Sequence, residues 1–150
     1  MPLTANAAFT ERHQLVSELI ANPAAGDPII YTVPGNTVIQ VVGLYFGFNT
    51  SVAVADRRIC VYVYQGAPAG IVQGSVASVV QPASVTYTYD FACGVAPLDA
   101  TADTNPLVCV PLSCGLQLQA GEQLHVYAFD MAVADQLANI TIRYFGWKED

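Results

Sequence analysis

The chain has 150 residues, 53% of them apolar and only 11% charged, with a net charge of −7. A domain of this length buries about two-thirds of the surface its unfolded chain exposes, so one core suffices without a metal or a disulfide. Five Lys and Arg against twelve Asp and Glu leave no basic groove for nucleic acid, and no apolar run reaches the ~18–20 residues that cross a bilayer as a helix.

The N-terminus, MPLTANAAFTERHQL, carries neither the basic n-region nor the apolar h-region of a signal peptide. Synthesis in a cytoplasm is therefore the expectation. It makes free thiols the default for Cys60, Cys93, Cys109 and Cys114 until the protein meets oxidising surroundings. Residues 1–10 read as a flexible N-terminal arm and 11–150 as a single β-sandwich domain.

Along the chain, period-two alternation recurs and helical periodicity hardly appears. Strand and helix compete over 11–21, where Leu15, Leu19 and Ile20 have partial helical spacing. Pro23-Ala24-Ala25-Gly26 is a turn signal, 29–33 a short strand, and Pro34-Gly35-Asn36 a second turn. Over 38–48, Val38, Val42, Leu44, Phe46 and Phe48 fall on one face, with Ile39, Val41 and Tyr45 on the other. Both faces are apolar, which predicts a central strand covered on both sides. Over 58–64, Ile59, Val61 and Val63 alternate with Arg58, Cys60, Tyr62 and Tyr64.

After a loop at 66–70 and a strand over 74–80, Val85, Tyr87, Tyr89 and Phe91 alternate with Thr86, Thr88 and Asp90, as a strand with one wet face requires. Residues 94–105 read as an exposed loop carrying Asp99 and Asp103. Leu116 and Leu118 precede a turn at Ala120-Gly121, after which Leu124, Val126 and Ala128 share a face. Ile140, Ile142 and Tyr144 close the chain against Thr141, Arg143 and Phe145. Eight to ten short strands suit a sandwich, jelly roll or barrel.

Charge is unevenly placed. No Asp, Glu, Lys, Arg or His occurs over 28–55, 59–89 or 104–121, whereas a free monomer normally scatters charge over its surface. Ser, Thr, Gln and Gly on outer sheet faces explain part of this. The further expectation is that some neutral faces are covered by other protein molecules.

Chemistry finds little purchase. His13 and His125 lie far apart, no GxSxG elbow is present, and His125, between Leu124 and Val126, points out of a strand face. Cys109 and Cys114 are separated by VPLS, wider than a usual zinc pair, with no second pair of ligands. A disulfide between two of Cys93, Cys109 and Cys114 is the better reading, with the pairing open. Asp99 and Asp103, or Asp130 and Asp135, lack the ligand pattern of a calcium loop and read as solvated acids. No catalytic residue, metal ligand or cofactor is assigned, and an enzyme is the least supported class.

Three segments carry a resemblance: NPAAGDPIIYTVPGN over 22–36, NTSVAVADRR over 49–58, and LQAGEQLHVYAFDMAVADQLANITIRYFGW over 118–147. Together they resemble a group of small tailed-phage virion proteins, in which a strand, a Pro-Gly turn, a long apolar strand and a TSxxVAxRR-type turn follow in that order. The likeness covers about two-thirds of the chain, which departs from the pattern at Asp27, Asn36 and its cysteines.

What the resemblance implies is a jelly-roll-like antiparallel β-sandwich in a virion assembled in the host cytoplasm. The favoured role is a capsid decoration or cement protein, a trimer outside the shell whose partners are the major capsid protein and its own copies, with no nucleic acid and no membrane. The alternative is a tail, baseplate or fibre component that binds a receptor or carbohydrate, marked by Tyr, Trp147 and loop carboxylates gathered at one end. Contact residues are expected in the arm, at Met1, Pro2, Leu3 and Phe9, and in the turn after the long strand, at Asn49, Thr50, Val52 and Val54. Arg57 and Arg58 are expected to pair with acids within the subunit or at its border.

Overall fold

Where alternation is cleanest, burial follows it: Tyr87, Tyr89 and Phe91 are buried while Thr86 faces water. The computed structural model describes residues 15–65 and 70–148; the expected arm lies outside them. Eleven strands occur among the described residues: β1 (Leu15–Ile20), β2 (Ile29–Thr32), β3 (Thr37–Asn49), β4 (Arg58–Gln65), β5 (Gly70–Val76), β6 (Thr86–Cys93), β7 (Leu98–Ala100), β8 (Leu107–Leu112), β9 (Gln117–Leu118), β10 (Gln123–Phe129) and β11 (Gln136–Lys148).

One sheet has the order β1-β11-β3-β6-β8-β7, with β9 also on β3, and the other β2-β10-β4-β5. Eight of these strands, β1 to β6 with β10 and β11, form two interleaved four-stranded sheets, β1-β11-β3-β6 and β2-β10-β4-β5. That is the strand order of a jelly roll, so the expected sandwich holds. Strands β7 to β9 are an insertion between its sixth and seventh strands.

Several expectations need correction. Of the strand and helix alternatives over 11–21, the strand holds in the described part: 15–20 are β1, paired antiparallel to β11, because Val16, Glu18 and Ile20 turn inward at period two. The span 94–105 is not wholly irregular, since β7 lies within it and pairs with β8. Two- and three-residue strands such as β9 and β7 are too short to show alternation, which is why the number exceeds ten. One pairing, β6 with β8, is parallel; the others are antiparallel.

The long strand β3 is central, between β11 and β6, but its two apolar faces are really one. Pairing with β11 runs from Gly43↔Arg143 to Val41↔Tyr144, skipping Val42. This bulge reverses parity, so that Ile39 and Val41 on one side of it and Leu44, Phe46 and Phe48 on the other all enter the same core. Tyr45 is left exposed on the outer face. A second bulge, at Asn139 and Ile140 of β11, uses Asn139 at φ 54°, a conformation Asn tolerates, and keeps Leu137, Ile140 and Ile142 in the core.

The open side between edge strands β1 and β2 is closed by a polar clasp. Glu18 Oε2 accepts hydrogen bonds from Tyr31 at 3.1 Å and Tyr144 at 3.0 Å. Burial, joined by the Glu18 carboxylate, pushes both phenols above their usual range.

Candidate functional site

Among the described residues, the four buried polar or charged ones, Thr50, Arg57, Gln81 and Asp135, all sit at one end of the sandwich. This end gathers the connections β1–β2, β3–β4, β5–β6 and β10–β11. A buried polar group is costly unless its bonding capacity is met, and here each group meets it by tying one connection to another.

Arg57 and Asp135 form the centre. Arg57 Nε donates to Asp135 Oδ2 at 2.5 Å and its Nη2 to Oδ1 at 3.1 Å, with both side chains wholly buried. The carboxylate also accepts from the amides of Ser51 and Ala132, each at 2.7 Å. Burial pushes the Asp135 carboxyl up, but the guanidinium and the two amides outweigh it and hold the group below its ordinary value. The remaining donors of Arg57 reach the Ala55 carbonyl and the Ser51 hydroxyl, each at 3.3 Å.

The ties extend outward. Gln81 pairs with Arg57 through its backbone amide at 2.9 Å. Its side chain donates to the Phe48 carbonyl at 2.8 Å and accepts from Tyr89 at 2.9 Å. The Thr50 hydroxyl donates to the Pro82 carbonyl at 2.7 Å and accepts from the Val85 amide at 3.1 Å. The Gly26 amide donates to the Asp135 carbonyl at 2.8 Å. A Cβ at Gly26, where φ is +81°, would stand 2.8 Å from the backbone of Val133, so the β1–β2 connection fits here only as glycine.

On this rigid base stand three valines with almost nothing around them: Val52 is 84% exposed, Val54 97% and Val133 88%. Asp27, Asp56 and Asp130 are exposed on the same connections. Exposed apolar side chains and exposed carboxylates thus share this end of the sandwich, on loops fixed by a scaffold.

The sequence-derived contact residues divide. Met1, Pro2, Leu3 and Phe9 lie outside the described residues. Val52 and Val54 project from the patch and Asn49 is exposed beside it, with Oδ1 accepting from Thr86 at 2.5 Å. Thr50 is turned inward and shapes the loop. Arg57 pairs with an acid inside the subunit, as expected, and Arg58 is exposed. Asp135 is not a solvated acid, since Arg57 draws it into the interior. Val133 and Gln81 were not singled out: a lone valine in DMAVADQ and a glutamine before proline carry no periodic signal.

The other candidate groups disperse. Cys93 and Cys114 are joined in a disulfide across 21 positions, so the free-thiol default holds for Cys60 and Cys109 alone. The bridge closes the insertion containing β7 and β8. No three His, Cys, Asp or Glu among the described residues are placed to hold a metal ion. His125 faces out of β10, with its ring 4.1 Å from that of Tyr64, and partial burial lowers its pKa.

No family model matches the chain, and no curated protein matches it. Among solved structures, a chain of the crystal structure of the T13 IBDV viral particle is similar over 89% of this chain, with 12% identity and a TM-score of 0.43. The match spans 31% of that longer chain.

Proposed function

We propose that this chain is a non-enzymatic structural protein of a virus particle, a capsid decoration or cement protein that binds the outside of the shell and stabilises contacts between capsomers. The observation that carries the reading is the four-loop end. A buried ion pair and two further buried polar side chains are spent on fixing loops whose outermost residues are exposed valines. Rigid loops lose little conformational entropy on docking, and desolvated valines then supply contact energy without a charged partner. The resemblance of the 22–36, 49–58 and 118–147 segments to phage virion proteins supplies the particle, and the acidic charge favours the side of the shell away from DNA.

The partners in this reading are the major capsid protein and further copies of the chain, assembled as a trimer. The test adds purified protein to shells that lack it. Rebinding with increased resistance to heat is expected, and Val52→Asp, Val54→Asp and Val133→Asp, each placing charge in the patch, are expected to abolish it. Unchanged shell stability on adding the unaltered protein would overturn the proposal. A second reading, a tail, baseplate or fibre component that recognises carbohydrate, is favoured by a different surface, the aromatic outer face of the four-stranded sheet.

A further inference from the structure

The sheet β2-β10-β4-β5 turns Ile59, Val61, Val63, Leu124 and Val126 into the core, so the alternating positions form its outer face. Tyr62, Tyr64, His125 and Tyr127 cluster there. Tyr62 and Tyr127 stack with centroids 5.4 Å apart and planes inclined at 19°, and Tyr64 lies 4.1 Å from His125. Gly74 of β5 faces Tyr62 across the ladder. A Cβ at Gly74 would sit 2.5 Å from the Tyr62 ring, so the missing side chain leaves that ring room to lie over the neighbouring strand.

Beside the rings runs a chain of polar groups. Gln123 Nε2 donates to Thr32 Oγ1 at 3.2 Å, and His125 Nε2 is 2.9 Å from Gln123 Oε1. With its amide nitrogen used on Thr32, Gln123 offers an acceptor to the imidazole. Nε2 therefore carries the proton, and Nδ1 is left as an acceptor.

We infer that this outer face is a binding platform for an uncharged oligosaccharide, with pyranose rings stacked on Tyr62 and Tyr127 and hydroxyls bonded along the Thr32, Gln123 and His125 row. Two observations choose this occupant. The first is charge: in a chain of net charge −7, no carboxylate occupies an outward position of these strands and Arg58 is the one formally charged residue among the described ones. Neither an anion nor a cation finds a matched surface. The second is size: three interstrand gaps by the length of the eight-residue β4 give roughly 14 Å by 25 Å, or about 350 Å². A stable protein interface needs about 800 Å² on each partner. Two or three sugar rings fit the smaller area, and their C–H faces and hydroxyls match electron-rich rings that have the neutral Thr32 and Gln123 on one border and the exposed Ile30 and Phe129 on others. The platform lies on a sheet face, apart from the valine loops, and stands whichever part of a particle carries the chain.

The test titrates the whole chain with maltohexaose, cellohexaose and chitohexaose to millimolar concentration, following the His125 ring and the Tyr62 and Tyr127 amides by NMR. Saturable shifts with one of the three are expected. Tyr62→Ala and Tyr127→Ala should each weaken that binding about tenfold, the effect of losing one aromatic stacking contact, and the Phe variants should retain it. Val54→Asp should leave it unchanged, so failure here is separable from failure of shell binding. Should the Ala variants not fold, His125→Ala is expected to weaken binding in their place. No saturable shift with any of the three sugars would overturn the inference. So would self-association abolished by Tyr127→Phe or Tyr127→Ala, which would make the face an interface between copies.

Discussion

Arg57 and Asp135 are 78 positions apart in sequence, yet each completes the other's bonding in the interior, Nε to Oδ2 at 2.5 Å and Nη2 to Oδ1 at 3.1 Å. One belongs to the connection entering β4 and the other to the connection leaving β10, and through Ser51 and Ala132 the pair fixes both. Its value lies in position more than in net energy, since a buried ion pair gains little over a well-packed apolar substitute.

Removing one partner is a different matter. Asp135→Ala leaves a guanidinium buried and unpaired, and unfolding in urea should show a loss of about 3–5 kcal/mol. The double variant Arg57→Met with Asp135→Leu should recover most of that stability. It should still bind shells poorly, because Ser51 and Ala132 lose the acceptor that holds their loops.

Acid should act at the same point. The folded-state pKa of Asp135 is lowered, so its ionised form contributes stability that is complete above the unfolded value of about 3.9 and disappears as pH falls through the lower folded value. Melting temperature should be level from neutral pH down to about 4 on this group's behalf and fall below it. Asp135→Asn should be less stable at neutral pH and show a shallower acid slope.

His125 acts in a higher window. Burial lowers its pKa, so the unfolded chain binds the proton more readily and stability declines as pH falls through about 6.5. His125→Gln should remove that decline while leaving the acid limb below pH ~4 intact, which differential scanning calorimetry can separate.

The Cys93–Cys114 bridge spans 21 positions, and in the chain-entropy treatment closing such a loop is worth about 3 kcal/mol. Cys93→Ser with Cys114→Ser should lower stability by about that amount. Alkylation of the unfolded, unreduced chain should label Cys60 and Cys109 alone. In the folded chain Cys60 should resist labelling, being buried with its thiol pushed up to about 11 by desolvation.

Much of the sandwich was legible in the residues themselves. Val85 to Phe91 and Leu124 to Ala128 alternate without interruption, and the structure buries them as their period requires. What alternation misread was β3, because a bulge at Val42 is a change of parity that leaves no mark in side-chain chemistry. Part of the candidate site was visible too: Val52 and Val54 sit in a turn between two strands, where apolar side chains have no nearby core to enter. Val133 and Asp135 were not, since a lone valine carries no periodic signal and Asp135 matters through its contact with Arg57, 78 positions earlier. The aromatic platform falls between these cases. Tyr62, Tyr64 and Tyr127 are outward by period, but their convergence depends on β10 lying beside β4, a pairing no local pattern encodes.

The most direct measurement of the central claim is a cryo-electron-microscopy map of the intact particle in which this chain is located. The predicted result is a sandwich on the outer surface of the shell, with the loops bearing Val52, Val54 and Val133 pressed against capsid subunits. A map placing the chain elsewhere, or placing it on the shell with those valines turned to solvent, would contradict the claim.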